Sequence, residues 1–266
     1  MNNLSFEQHL RREGYAENTI LSYRYAAREF LGKYGELTRE NLLLYRAFLS
    51  DSRKPQTVNL RIRAMNKYVA FLGHPEWKVK GIRMPRLSYL DNVISQEEYA
   101  SFKKALGAMT DRRWYFCVRF MAMTGVRISE LVRIRVEHVR AGYMDICSKG
   151  GKVRRIYFPD RLRQEALLWL QNRPDGPVFL NRRGQPMTGR GIAKVLKELA
   201  VGFGLNPAVV HPHAFRHLFA KNFLGRQNDI VLLADLLGHE SVETTRIYLQ
   251  RSSREQCELI NRVVDW

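Results

Sequence analysis

The sequence of 266 residues predicts a mainly α-helical chain in two domains, with one small β-hairpin. Three observations carry that expectation. Apolar residues recur every three or four positions through most of the chain, the spacing of helices that bury one face. The stretch "GYMDICSKGGKVRRIYF", residues 142–158, instead reads as two short β-prone runs around a glycine turn. Between residues 74 and 93 the period lapses into a basic segment broken by proline and glycine, which suits a linker. The expected domains are therefore residues 1–86 and 87–266.

Ile20, Tyr23, Ala27, Phe30, Leu31 and Tyr34 place a helix over residues 16–34. Thr38 is a natural cap for a second helix through "RENLLLYRAFLS". A third follows Pro55, with Val58, Ile62, Met65, Val69 and Leu72 as its seam. Its other side carries Arg61, Arg63 and Lys67, and the linker adds Lys78, Lys80, Arg83 and Arg86. "SQEEY" then offers a capping box, Ser95 with Glu98, to open the second domain. After the hairpin, helices are expected over 160–173, 188–204, 213–224, 229–237, 241–250 and 253–264.

The charge narrows the partner. Lys and Arg number 44 against 26 Asp and Glu, a formal +18. Residues up to Pro85 hold 15 basic and 8 acidic side chains, and the remainder 29 and 18, so both parts are basic. Such an excess suits a polyanion, nucleic acid before an anionic membrane. Three cysteines without a C-x-x-C pair argue against a disulfide framework or a cysteine-rich zinc site. "MNNLSFEQHLRREGY" has no apolar signal core, and no run reaches the ~18 apolar residues of a membrane span. A cytoplasmic, nucleoid-associated protein is expected.

Four stretches concentrate groups that can act on a phosphate: "MTGVRISEL" with Arg127, "SKGGK" with Lys149 and Lys152, "HPHAFRH" with His213, Arg216 and His217, and "LGHESVETTRIY" with His239 and Tyr248. Phosphodiester cleavage without a metal needs a nucleophile, which a tyrosine phenolate supplies. It also needs guanidiniums to balance charge on the non-bridging oxygens, an acid for the departing oxygen and a base for the phenol. That set is complete here. Each member also has a plainer reading. Arg127 can pair with Glu130 at i+3, the turn lysines can serve solubility, and Gly238 can simply end a helix. His213 and His217 share the i, i+4 spacing of a zinc site, but Arg216 stands between them and no Glu follows His213.

"TGVRISEL", "HPHAFRHLFA" and "LLGHESVETTRIY" resemble, in order and spacing, the signature boxes of the tyrosine recombinases, the Xer and phage-integrase family. The resemblance covers about residues 95–266, and the N-terminal part looks like that family's helical core-binding (SAM-like) domain. By this resemblance the fold is that domain plus a tyrosine-recombinase catalytic domain. The active site maps onto Arg127, Lys149, His213, Arg216, His239 and the nucleophile Tyr248, with Lys152 the alternative to Lys149. Arg61, Arg63, Lys67, Arg83, Arg86 and Lys152 are expected against DNA.

The implied activity is site-specific recombination of double-stranded DNA through a 3′-phosphotyrosine, with no cofactor, ATP or metal. The implied assembly is a homotetramer on synapsed DNA, monomer or dimer when free. Its C-terminal helix, with Cys257, Leu259, Ile260 and Val263 as an apolar stripe, would dock on a neighbour. The start of the chain so near the core-binding domain leaves no room for an arm-site domain, which favours a simple Xer-like enzyme. The rival readings are a type IB topoisomerase and a DNA-binding architectural protein that does not cleave.

Overall fold

In the computed structural model, residues 5–84, 93–147, 153–171, 173–250 and 253–264 are described here. The chain divides into two compact units, Met1–Arg86 and Leu87–Trp266. The described residues are mostly helical, with one two-stranded sheet.

The first unit holds α1 (Phe6–Arg12), α2 (Glu17–Tyr34), α3 (Arg39–Ser52) and α4 (Pro55–Phe71). Ser5 and Gln8 form a capping box for α1, and the Thr38 hydroxyl accepts from the Asn41 N–H to start α3. Phe30, Leu42, Tyr45, Leu49, Val58, Ile62, Met65 and Val69 close the core, as the helical seams predict. Leu72 falls outside it, exposed at the end of α4. Tyr45 is fully buried but keeps its polar tip satisfied, donating to Glu29 at 2.7 Å.

Two asparagines one heptad apart on α4 pin the basic strap that follows. Asn66 exchanges both hydrogen bonds with the Val79 backbone, and Asn59 does the same with Ile82. Val79 is thereby buried, while Lys78, Lys80 and Arg83 face out.

The second unit begins with α5 (Gln96–Ala108), opened by the expected Ser95–Glu98 capping box. Next come α6 (Arg113–Thr124), α7 (Ile128–Leu131) and α8 (Val136–Ala141). Strands β1 (Tyr143–Cys147) and β2 (Val153–Tyr157) pair antiparallel, with Met144 opposite Ile156 and Ile146 opposite Arg154. Then follow α9 (Asp160–Leu170), α10 (Gly189–Gly202), α11 (Pro212–Arg226), α12 (Ile230–Leu237), α13 (Val242–Thr245) and α14 (Ser253–Val263).

Phe102, Phe116, Phe120, Phe179 and Phe215 sit at the centre of the core. Phe215 stacks on Phe102 at 6.3 Å, which anchors α11 by one face and leaves the residues around it to a site. Two expected helices are shorter than the sequence suggested. The helix starting at Asp160 stops at Leu170, where Gln171 adopts φ 43°. The stretch 241–250 is one turn of α-helix followed by a 3₁₀ turn, Arg246–Leu249, and Tyr248 lies on that tighter turn. Among the described residues no helix is long and apolar enough to cross a membrane.

Candidate active site

The three motifs among the described residues each lie where an element ends or begins. Helix α6 stops at Thr124, whose hydroxyl donates to the Phe120 carbonyl and accepts from the Val126 N–H. Gly125 turns the chain with φ 64° and ψ 15°, and Arg127 follows in extended conformation at the start of α7. A Cβ on Gly125 would lie 2.5 Å from Phe219 Cδ1 and 2.7 Å from Leu237 Cδ2. Gly125→Ala combines a left-handed backbone with overpacking, so a loss of about 2–4 kcal/mol in denaturant unfolding is expected. A loss below about 1 kcal/mol would contradict that close approach.

Helix α11 starts at Pro212, capped by His211, whose Nδ1 accepts from the Ala214 N–H. The sequence had given His211 no role. One turn on, Arg216 is 2% exposed. Its Nη1 donates to the Gly125 carbonyl at 2.6 Å, and its Nη2 to the Leu237 carbonyl at 2.7 Å. Helix α12 ends at Gly238, left-handed at φ 64°, as expected of a helix-ending glycine.

The end of α12 organises the site. Its last carbonyls have no helical partner. The carbonyls of three consecutive residues each accept from a different arginine: Leu236 from Arg154 at 2.7 Å, Leu237 from Arg216, and Gly238 from Arg127 at 3.2 Å. Cations are favoured at this end of a helix. Glu130 supplies the one carboxylate in the cluster and is 6% exposed. It accepts from the Arg127 N–H (2.8 Å) and Nη1 (3.1 Å) and from Arg154 Nη2 (2.6 Å). Burial pushes its pKa up, but these donors win and hold it below the usual carboxylate range.

Arg127 therefore pairs with Glu130 at i+3 and also reaches the site, so its two readings from sequence are not alternatives. Three guanidiniums against one carboxylate leave a net positive centre. Burial, then the neighbouring Arg127, push the Arg216 pKa down to about 10, while Tyr248 opposes the shift.

The histidines are held neutral. Burial, followed by Arg216, Arg127 and Arg154, pushes His239 down to about 4. Its Nε2 lies 3.0 Å from Arg216 Nη2, and its Nδ1 lies 2.7 Å from the Thr245 hydroxyl. Arginine can only donate, so Nε2 accepts and the ring proton sits on Nδ1. Desolvation, then Arg216 and Arg127, also lower the pKa of His213. A neutral imidazole there is free to take a proton.

Tyr248 is half-buried and packs on Ala220, Leu233 and Leu237. Its ring stacks against His239 at 6.0 Å and meets the edge of His217 at 4.9 Å. Burial and Lys221 push His217 down to about 4, and its place on α11 against the tyrosine ring suits packing.

Arg127, His213, Arg216, His239 and Tyr248 thus converge on one locus. Lys149, Lys152 and Arg86 lie outside the described residues. In the N-terminal unit Arg63 and Arg83 are exposed. Arg61 is 3.3 Å from Glu29 and stacks over Tyr25, and Lys67 pairs with Glu13, so both already have partners within the chain. Sequence reasoning named Glu130 only as a partner for Arg127, and missed Arg154. Glu130 stands in the quoted "TGVRISEL", and Arg154 is a charged residue on the inward side of an alternating strand. Among the described residues no three His, Cys, Asp or Glu side chains gather as a metal site.

Comparison with known proteins agrees on one group. The model of the phage integrase family matches residues 92–255. The chain is 28% identical to the tyrosine recombinase XerA of Pyrococcus furiosus, over 97% of this chain and 92% of that one. Among solved structures, the Tn1549 transposon integrase in complex with circular intermediate DNA superposes with TM-score 0.72 at 15% identity, covering 97% and 98% of the two chains. A lambda integrase dimer bound to a core site gives TM-score 0.71 at 18% identity, with 94% of each chain covered. These two likenesses show the fold.

Proposed function

Because the chain belongs to the phage integrase family, as a tyrosine recombinase that breaks and rejoins DNA at specific sites, we propose a division of labour for its side chains. Tyr248 attacks the scissile phosphorus, and its oxygen forms the new P–O bond as the bond to the 5′-oxygen breaks. His213 takes the phenol proton, and Lys149 gives one to the departing 5′-oxygen, which leaves as a hydroxyl. Arg127 and Arg216 balance the charge that develops on the non-bridging oxygens. The 5′-hydroxyl of a partner strand then reverses the step, so the bond energy is conserved without ATP.

The observation that carries this reading is the three-arginine end of α12, which leaves unneutralised positive charge beside Tyr248. His239, as it stands, accepts from Arg216 and so orients that guanidinium. A direct bond from His239 to a phosphoryl oxygen requires a proton on Nε2. The trapping experiment uses a duplex with a nick beside the cleavage point, so that the short product diffuses away and the covalent adduct accumulates. A DNA-binding protein without cleavage activity traps nothing. A type IB topoisomerase instead relaxes plasmids that lack a recombination site.

The double-stranded DNA substrate also accounts for the charge of both units. The N-terminal unit is proposed as the core-binding domain, contacting phosphates through Arg63 and the strap bearing Lys78, Lys80 and Arg83. Synapsis of two sites calls for four protomers. The face of α14 bearing Cys257, Ile260 and Val263 supports this, since Ile260 is 57% exposed and Val263 55%. DNA as the substrate supports a nucleoid-associated protein in the cytoplasm.

Neutralising ~6–10 phosphates predicts an affinity loss of roughly 10³–10⁵ between 50 and 200 mM salt, measured by gel shift or anisotropy. A change of less than about tenfold would contradict two cationic units on one duplex.

A further inference from the structure

We propose that Arg154 is a positioning residue for cleavage: it holds Arg127 in place through Glu130 and the carbonyl end of α12, without touching DNA. The proposal rests on the reading of Arg127 as the group that offsets phosphoryl charge.

Three observations place it. First, β2 alternates exposed and buried positions, and Arg154 shares the buried face with Ile156. Strand chemistry calls for an aliphatic residue there, yet the position holds a guanidinium whose side chain is 4% exposed. Second, Nη1 donates to the Leu236 carbonyl at 2.7 Å and Nη2 to Glu130 Oε2 at 2.6 Å. These are the two structures that hold Arg127, whose Nη1 is on Glu130 and whose Nη2 is on the Gly238 carbonyl. Third, the fit admits no side chain at Gly238, where a Cβ would lie 2.2 Å from Arg154 Cδ and 2.4 Å from Nε. The backbone at the end of α12 closes directly onto the arginine stem.

Arg154 therefore ties together three segments distant in sequence: β2, the start of α7 with Arg127 and Glu130, and the end of α12. Without it, Glu130 keeps a buried charge and loses its shortest partner. The carboxylate then reorients, and Arg127 moves with it. A shift of about 1 Å at a catalytic group costs up to roughly 100-fold in rate.

A buried ion pair can also be purely structural, and replacing both partners by neutral groups is then often harmless. The experiment separates the two roles by the charge of the substrate. Cleavage by Arg154→Lys is measured on nicked duplexes carrying either the normal phosphodiester or a methylphosphonate at the scissile position. The methylphosphonate replaces one non-bridging oxygen by a neutral methyl, so the linkage carries one negative charge fewer for Arg127 to offset. Lysine keeps a cation beside Glu130 but cannot also span to the Leu236 carbonyl.

The expected result is normal DNA binding, cleavage about 10–100-fold slower on the phosphodiester, and a rate within about threefold of wild type on the methylphosphonate. Wild-type cleavage of the phosphodiester overturns the proposal. So does an equal loss on both substrates when the loss of Arg127→Ala is itself relieved by the neutral linkage. If Arg127→Ala is not relieved, the role given to Arg127 fails first, and this proposal fails with it. Should Arg154→Lys not fold, the double variant Glu130→Gln with Arg154→Met removes both buried charges and is held to the same pattern. Full activity in that variant marks the pair as structural and overturns the proposal.

Discussion

Tyr248→Phe binds a nicked recombination site with wild-type affinity and traps no covalent DNA. The substitution removes one oxygen and keeps the ring that packs on Ala220, Leu233 and Leu237. The neighbouring His217 and His239 rings retain their contact surface. Of the other hydroxyls in the motif, Thr244 is exposed on α13 and two are engaged. Thr245 is fully buried on His239, and the Ser241 side chain caps α13. The expected loss is complete within the assay, read as adduct on a denaturing gel. Residual adduct above about one part in a thousand would assign the attack to another group.

The second large effect is expected from Arg216→Lys. The arginine bridges the Gly125 carbonyl, the Leu237 carbonyl and His239 Nε2 from a position almost closed to solvent. An ammonium is a single point charge and cannot reproduce that planar fork. Removing one preorganised donor of this kind costs about 10²–10³ in rate, and single-turnover cleavage on the nicked duplex measures it. The variant is also expected to melt earlier, since a buried carbonyl left without its donor costs about 1–3 kcal/mol. A cleavage rate within about threefold of wild type would remove Arg216 from the proposed centre.

The helical seams of α2, α3 and α4 were legible because apolar residues at a regular period can only be buried on one side. The Ser95–Glu98 cap and the left-handed Gly238 were legible for a similar reason, as local chemistry suffices for both. Five of the candidate site residues stood at motif spacings, and the fold brings them together. What stayed hidden depends on contacts between distant segments. Arg154 meets Glu130 across 24 residues and Leu236 across 82, and no local pattern reports such a pairing. Its inward position on β2 was the available clue.

The opposite face of α4 misled for a related reason. Periodicity showed Arg61 and Lys67 pointing away from the seam, but not that Glu29 and Glu13 wait on neighbouring elements. The 3₁₀ turn under Tyr248 was read as α-helix. Its geometry follows from Thr245, which is drawn into a bond with His239 and fixes where α13 must end.

Trapped adduct, digested with protease and nuclease and sequenced by mass spectrometry, tests the central assignment most directly. The peptide spanning residues 247–250 should carry a nucleotide phosphate on Tyr248, attached through the 3′ side of the break, with a free 5′-hydroxyl on the released strand. A phosphate linked to any other side chain, or a tyrosine joined to the 5′ side, would contradict the account.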